Sequence, residues 1–101
     1  MTLGELINKN GLCGRVVKTY QTDGFTFRGT ITRVFQEGIL VHFTLANFAR
    51  QFTIERGPWK NLPNSTFTLG KNLPLERAED GTFSFTPPQG GRGYIYPKGK
   101  K

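Results

Sequence analysis

Very little in this sequence is reactive. One cysteine, Cys13, and one histidine, His42, are its whole thiol and imidazole chemistry, so an intrachain disulfide is excluded and a zinc site of the usual Cys/His kind has no ligands to draw on. The seven acidic residues are scattered singly apart from Glu79-Asp80, which leaves no converging carboxylate pair for general acid–base work. Gly90-Gly91-Arg92-Gly93 follows no strand-to-helix transition and lacks the Lys-Ser/Thr of a phosphate-binding loop. No apolar run approaches the ~18 residues of a membrane-spanning helix, and the N-terminus lacks the basic and apolar halves of a secretory signal. These absences predict a cytoplasmic protein that is not an enzyme, holds no cofactor or metal and has no membrane partner. Cys13 is expected to be a small buried side chain. His42 falls on the polar side of an alternating strand, where a satisfied imidazole or a ligand contact are both open.

What remains is the composition of one small β domain. The 101 residues suit a single core; the apolar fraction of 36%, with 13 glycines added, comes near the ~45–50% of folded globular chains. The net charge of +7 is uneven: residues 88–101 carry +4 with no acid, and residues 1–87 hold ten basic and seven acidic residues. Such a balance suits a nucleic-acid, acidic-protein or membrane-surface partner and also simply favours solubility.

Thr2 followed by Glu5 reads as a capping box, with Leu3, Leu6 and Ile7 as the apolar stripe of a two-turn helix ending near Asn10-Gly11. From Leu12 onward short β-branched and aromatic runs alternate with turn signals, the mark of an antiparallel β domain. Strands are predicted from Gly14 to Tyr20, from Phe25, from Ile39 to Leu45, from Gln51 to Arg56 and over Thr66–Leu69. Gln21-Thr22-Asp23-Gly24 is the first hairpin turn and Ala46–Arg50 a connection. Phe25, Phe27, Gly29 and Ile31 share one face, after which the phase slips; a β-bulge near residues 32–34 accounts for the slip, and Gly29 eases the bend. Leu73–Arg77 and Thr82–Thr86 flank the turn Glu79-Asp80-Gly81, with Phe83 and Phe85 on one face. The domain spans residues 1–88. The basic, Gly-rich tail 89–101, which contains Tyr94, Ile95 and Tyr96, is either a loose arm or a last short strand.

The stretch Val16-Val17, Asp23-Gly24-Phe25-Thr26-Phe27-Arg28-Gly29-Thr30-Ile31 and Gly38-Ile39-Leu40-Val41 resembles the first motif of the Sm-like family, and its helix and spacing are similar to the bacterial Hfq branch. Gln51–Gly57 resembles the second motif, with Lys60-Asn61-Leu62-Pro63 as the fifth strand. Glu37 and Glu55-Arg56 depart from the Hfq pattern. The resemblance implies a small SH3-like or Sm-like antiparallel barrel with a short N-terminal helix and an added C-terminal hairpin. It implies assembly as a homo-oligomeric ring, RNA as the ligand, Tyr20, Phe25, Phe27 and Arg28 near one ring face, and Gln36 near the pore.

Two kinds of function are then open. The first is RNA binding by basic and aromatic residues, for which Lys18, Tyr20, Phe25, Arg28, Arg33, Gln36, Arg56 and Arg92 are the candidates. The second is a Tudor-like or SH3-like module that takes a protein or peptide partner through Trp59 or Tyr20. A self-associating assembly subunit is a third. Nine Phe in so short a chain must mostly build the core, which leaves Trp59 and Tyr94 as the aromatics free to act.

Overall fold

Thr2 and Glu5 cap the start of α1 (Leu3–Lys9), the one helix among the described residues. The Thr2 backbone N–H donates to Glu5 Oε1 at 3.1 Å, and the Glu5 N–H donates to Thr2 Oγ1 at 3.4 Å. A helix start leaves further N–H groups without partners; those of Leu3 and Gly4 donate to the carbonyls of Leu73 and Lys71 at 2.9 and 2.8 Å. The Leu75 N–H returns a bond to the Met1 carbonyl at 2.7 Å. Seven residues are too few for a helix to persist alone, so α1 depends on this seam and on Leu3 and Leu6, both fully buried.

A computed structural model of the chain describes residues 1–9, 11–20, 25–52, 58–63, 65–88 and 90–99. The strands are β1 (Val16–Tyr20), β2 (Phe25–Glu37), β3 (Leu40–Phe52), β4 (Lys60–Asn61), β5 (Ser65–Gly70), β6 (Glu76–Arg77), β7 (Phe83–Phe85) and β8 (Arg92–Ile95). They form one antiparallel sheet in the order β4-β3-β2-β1-β8-β7-β6, with β5 also paired to β3. The predicted turn at residues 21–24 and most of the predicted strand Gln51–Arg56 lie outside the described residues.

Several expectations are corrected. Ala46–Arg50 is not a connection but the middle of β3, whose 13 residues run on to Phe52. Ile39 sits in the turn before β3 and is 67% exposed. Lys60-Asn61 pairs with Ala49 and Arg50 of β3, whereas the free edge of β1 is taken by Arg92–Ile95. The Gly-rich segment is therefore a docked strand within the sheet. Cys13 is exposed, its thiol donating to the Thr32 carbonyl at 3.5 Å. The predicted bulge is present: Ile31 opposes Leu45 and Arg33 opposes Thr44, so Thr32 is the extra residue. A second shift, between Arg28 and Thr30, places the extra length on β3 around Asn47.

The sheet must curl. β4 and β5 lie along the same edge of β3, so the sheet is seven strands wide, and its six spacings of ~4.8 Å would hold the two edges of a flat sheet about 29 Å apart. Yet the chain passes from Gly70 at the end of β5 to Glu76 at the start of β6, a stretch that reaches about 20–22 Å fully extended. The radius of gyration, 13.0 Å, is that of a globular chain of this length. Inside the curl lie Val17, Ile31, Val41, Phe43, Leu45 and Leu69 together with Phe83, Phe85 and Ile95. The C-terminal hairpin and the N-terminal strands thus share one core.

One contact in that core tolerates no side chain. Gly93 opposes Phe85 in register, and a Cβ at Gly93 would run into the Phe85 ring. Substituting Gly93→Ala should lower the unfolding free energy by about 1–3 kcal/mol through overpacking. Gly70→Ala, where a Cβ meets open space, should change it by no more than about 0.5 kcal/mol. Urea denaturation of the two variants measures the difference.

Candidate nucleic-acid interface

Period-two alternation sends the residues between the core positions to the opposite face of the sheet. On β1 these are Val16, Lys18 and Tyr20. The register sets Lys18 between Arg28 of β2 and Tyr94 of β8, and Tyr20 between Thr26 and Arg92. The Tyr96 N–H continues the ladder by donating to the Val16 carbonyl at 2.9 Å. Cations and aromatic rings therefore interleave across three adjacent strands.

The rings are ordered by one another. Tyr20 meets Tyr94 edge to face at 5.8 Å, and Tyr94 lies nearly parallel to Tyr96 at 6.2 Å. The Lys18 ammonium stands 5.7 Å from the centre of the Tyr96 ring. The Arg28 guanidinium lies 4.2 Å from the centre of the Trp59 ring, a geometry in which the ring's negative face attracts the cation. Trp59 is thus engaged on this face as the bed of Arg28. None of Lys18, Arg28 and Arg92 has a carboxylate at ion-pair distance among the described residues; His42 Nε2 lies 3.4 Å from Glu37 Oε1. The Tyr96 hydroxyl is pushed up to about 12, first by burial, then by Tyr20 through charge and a side-chain hydrogen bond, and further by Tyr94 and Asp80. It stays a neutral hydroxyl throughout the physiological range.

Of the residues proposed from sequence, Lys18, Tyr20, Arg28 and Arg92 come together here. Arg33 and Gln36 do not. Beyond the Thr32 bulge, Arg33 lies over Phe35 at 5.0 Å, and Gln36 Nε2 donates to the Gly38 carbonyl at 3.2 Å. Phe25 opens β2 opposite Phe52, and Arg56 lies outside the described residues. Phe27, expected beside Tyr20 and Arg28, stacks instead on Phe48 at 5.5 Å. With Val17, Leu45, Leu62 and Phe67 these two rings line a cavity of about 460 Å³. Tyr96 was missed, although the alternation Arg92, Tyr94, Tyr96 about Gly93 and Ile95 carries the signal for it.

His42 and Cys13 have separate partners. His42 Nδ1 is 3.0 Å from Thr68 Oγ1 and its ring stacks on Phe35 at 4.7 Å, while Cys13 engages the Thr32 carbonyl. Among the described residues no group of three or more His, Cys, Asp or Glu could hold a metal, and no helix is long and apolar enough to cross a membrane. No family model matches the chain, and neither the curated proteins nor the solved structures contain a match to it.

The tyrosine cluster has a measurable signature. Because the folded-state pKa of Tyr96 lies above its ordinary value of 10.0, its contribution to stability is complete below pH 10 and declines as pH rises toward 12. Tyrosinate absorbance should show one hydroxyl ionising last, near pH 12. Tyr96→Phe should remove that phase and lessen the loss of stability in the same interval.

Proposed function

We propose that this protein binds single-stranded RNA inside the cell without catalysing a reaction. The observation that carries the reading is the face on which Lys18, Arg28 and Arg92, with no carboxylate at ion-pair distance among the described residues, interleave with Tyr20, Tyr94 and Tyr96. Single-strand binders combine these two elements: rings on which bases stack, worth roughly 1–3 kcal/mol per base, and cations that follow the phosphates. We further assign the curled sheet to the SH3-like barrels, with an Sm-like N-terminal part. The capped helix ahead of β1 and the long, bulged β2 and β3 support that assignment. In this reading the edges at β4–β5 and β6 are the surfaces through which copies would join into a ring, since an unpaired edge is a template for another strand.

A second reading rests on the cavity beside Phe27 and Phe48, which is large enough to seat an apolar side chain of a protein or peptide partner. The two separate by salt. RNA affinity, followed by fluorescence anisotropy, should fall linearly with the logarithm of salt concentration, and each of Lys18→Ala, Arg28→Ala and Arg92→Ala should reduce the slope by about 0.7. Tyr94→Ala should cost about 1–3 kcal/mol and leave the slope unchanged. Absence of RNA affinity at low salt would overturn the proposal and turn attention to the cavity. Light scattering of the purified protein should give a ring mass under the Sm-like assignment, and a monomer at micromolar concentration would remove the ring.

A further inference from the structure

Next to the tyrosine face lies a depression of about 270 Å³, whose lining includes Val16, Lys18, Arg28, Thr30, Asn47 and Asn61. Its position follows from the second bulge. β3 gains one residue against β2 between Ala46 and Ala49, and a bulge of this kind re-aims a side chain out of the regular alternation. Asn47, with φ of 52°, is the one non-glycine residue of the described chain in the left-handed region, a conformation that asparagine tolerates better than most side chains. Asn61 reaches the same depression from β4, where it pairs with Ala49. Both asparagines are exposed, and neither carboxamide has a hydrogen-bond partner among the described residues.

We propose that this depression is a nucleobase subsite selective for adenine, an inference that rests on the RNA-binding reading above. A carboxamide presents one acceptor oxygen beside an N–H donor, and its complement is a base edge with an amino donor beside a ring-nitrogen acceptor. Adenine has that edge twice, because its N6 amino group is flanked by N1 on one side and N7 on the other. Two carboxamides can therefore engage one adenine, each taking one N6 hydrogen. Cytosine offers such an edge once. Uracil has a single ring N–H to share, and the N2 amino group of guanine, flanked by the N3 acceptor on one side and the N1–H donor on the other, offers such an edge once. Lys18 and Arg28, which also line the depression, are placed to hold the phosphates on either side, with the guanidinium fixed over Trp59. The tyrosine rings next to it receive the neighbouring bases.

The test is anisotropy binding of the full-length protein to short oligo(rA), oligo(rU) and oligo(rC), repeated with Asn47→Gly and Asn61→Ala. Glycine is chosen at position 47 because it keeps the left-handed backbone without strain. Oligo(rA) should bind tightest, and each substitution should weaken it about 5- to 150-fold, the range for losing one bidentate base contact. Binding of oligo(rU) and oligo(rC), whose bases can each meet only one carboxamide, should fall less than that of oligo(rA). Equal affinity for the three homopolymers, a preference that survives both substitutions, or a weakening shared equally by all three would overturn the adenine subsite and leave the RNA-binding face standing. Failure of every oligonucleotide to bind at low salt would overturn both.

Discussion

The pairing of β8 with β1 supports both faces of the molecule at once. Arg92–Ile95 is four residues long, yet it bridges the N-terminal strands to the β6–β7 hairpin. Its alternation is strict: Gly93 and Ile95 face the core, Arg92 and Tyr94 the interface. Gly93 lets the Phe85 ring lie against the strand, and Ile95 is fully buried. The tyrosines are held in place by the same backbone register that closes the core, so a slip of one residue would exchange the two sets. Stability and the candidate interface are coupled through that register.

The bulges do the complementary work on the other side of β1. Long strands paired without interruption twist but bend only gradually, whereas an extra residue on one strand introduces a local bend. β2 takes its extra residue at Thr32 and β3 takes one around Asn47. Between them Gly29 permits close approach, since a Cβ there would lie 2.9 Å from the Leu45 Cβ. The bending lets the sheet enclose Val41, Phe43 and Leu45, and the same irregularity directs Asn47 into the depression with Lys18 and Arg28. It also divides β2 into two halves of different surroundings. Arg28 belongs to the tyrosine face, and Arg33 belongs to the hairpin that carries Phe35 and His42.

Much of the local structure was legible in the sequence. The Thr2–Glu5 cap, the antiparallel β character, the slip near residue 32 and the hairpin around Glu79-Asp80-Gly81 each rest on interactions between residues close in the chain. In the last of these, the Gly81 N–H donates to the Ala78 carbonyl at 3.0 Å and the Thr82 N–H to Asp80 Oδ1 at 2.9 Å. Reading failed where the partner was remote. Ala46–Arg50 lacks the bulky alternation of a strand, and it is held in one by β2 on one side and β4 on the other. Cys13 looked like a core residue because small thiols usually are, but its place beside the Thr32 bulge leaves it exposed.

The sequence by itself determined which residues repel water and with what period, where the chain can turn, and that few groups capable of covalent or acid–base chemistry are present. These are properties of each side chain and its near neighbours. Only the tertiary structure decided which strands lie side by side, and with that which charges meet which rings. Lys18 and Tyr94 are 76 residues apart in sequence and directly opposed in the sheet, a juxtaposition set by burial of Val17 against Ile95 on the reverse face. The choice among competing strand pairings is made by the whole core, because only the register that buries Phe85, Ile95 and Val17 together removes their apolar surface from water.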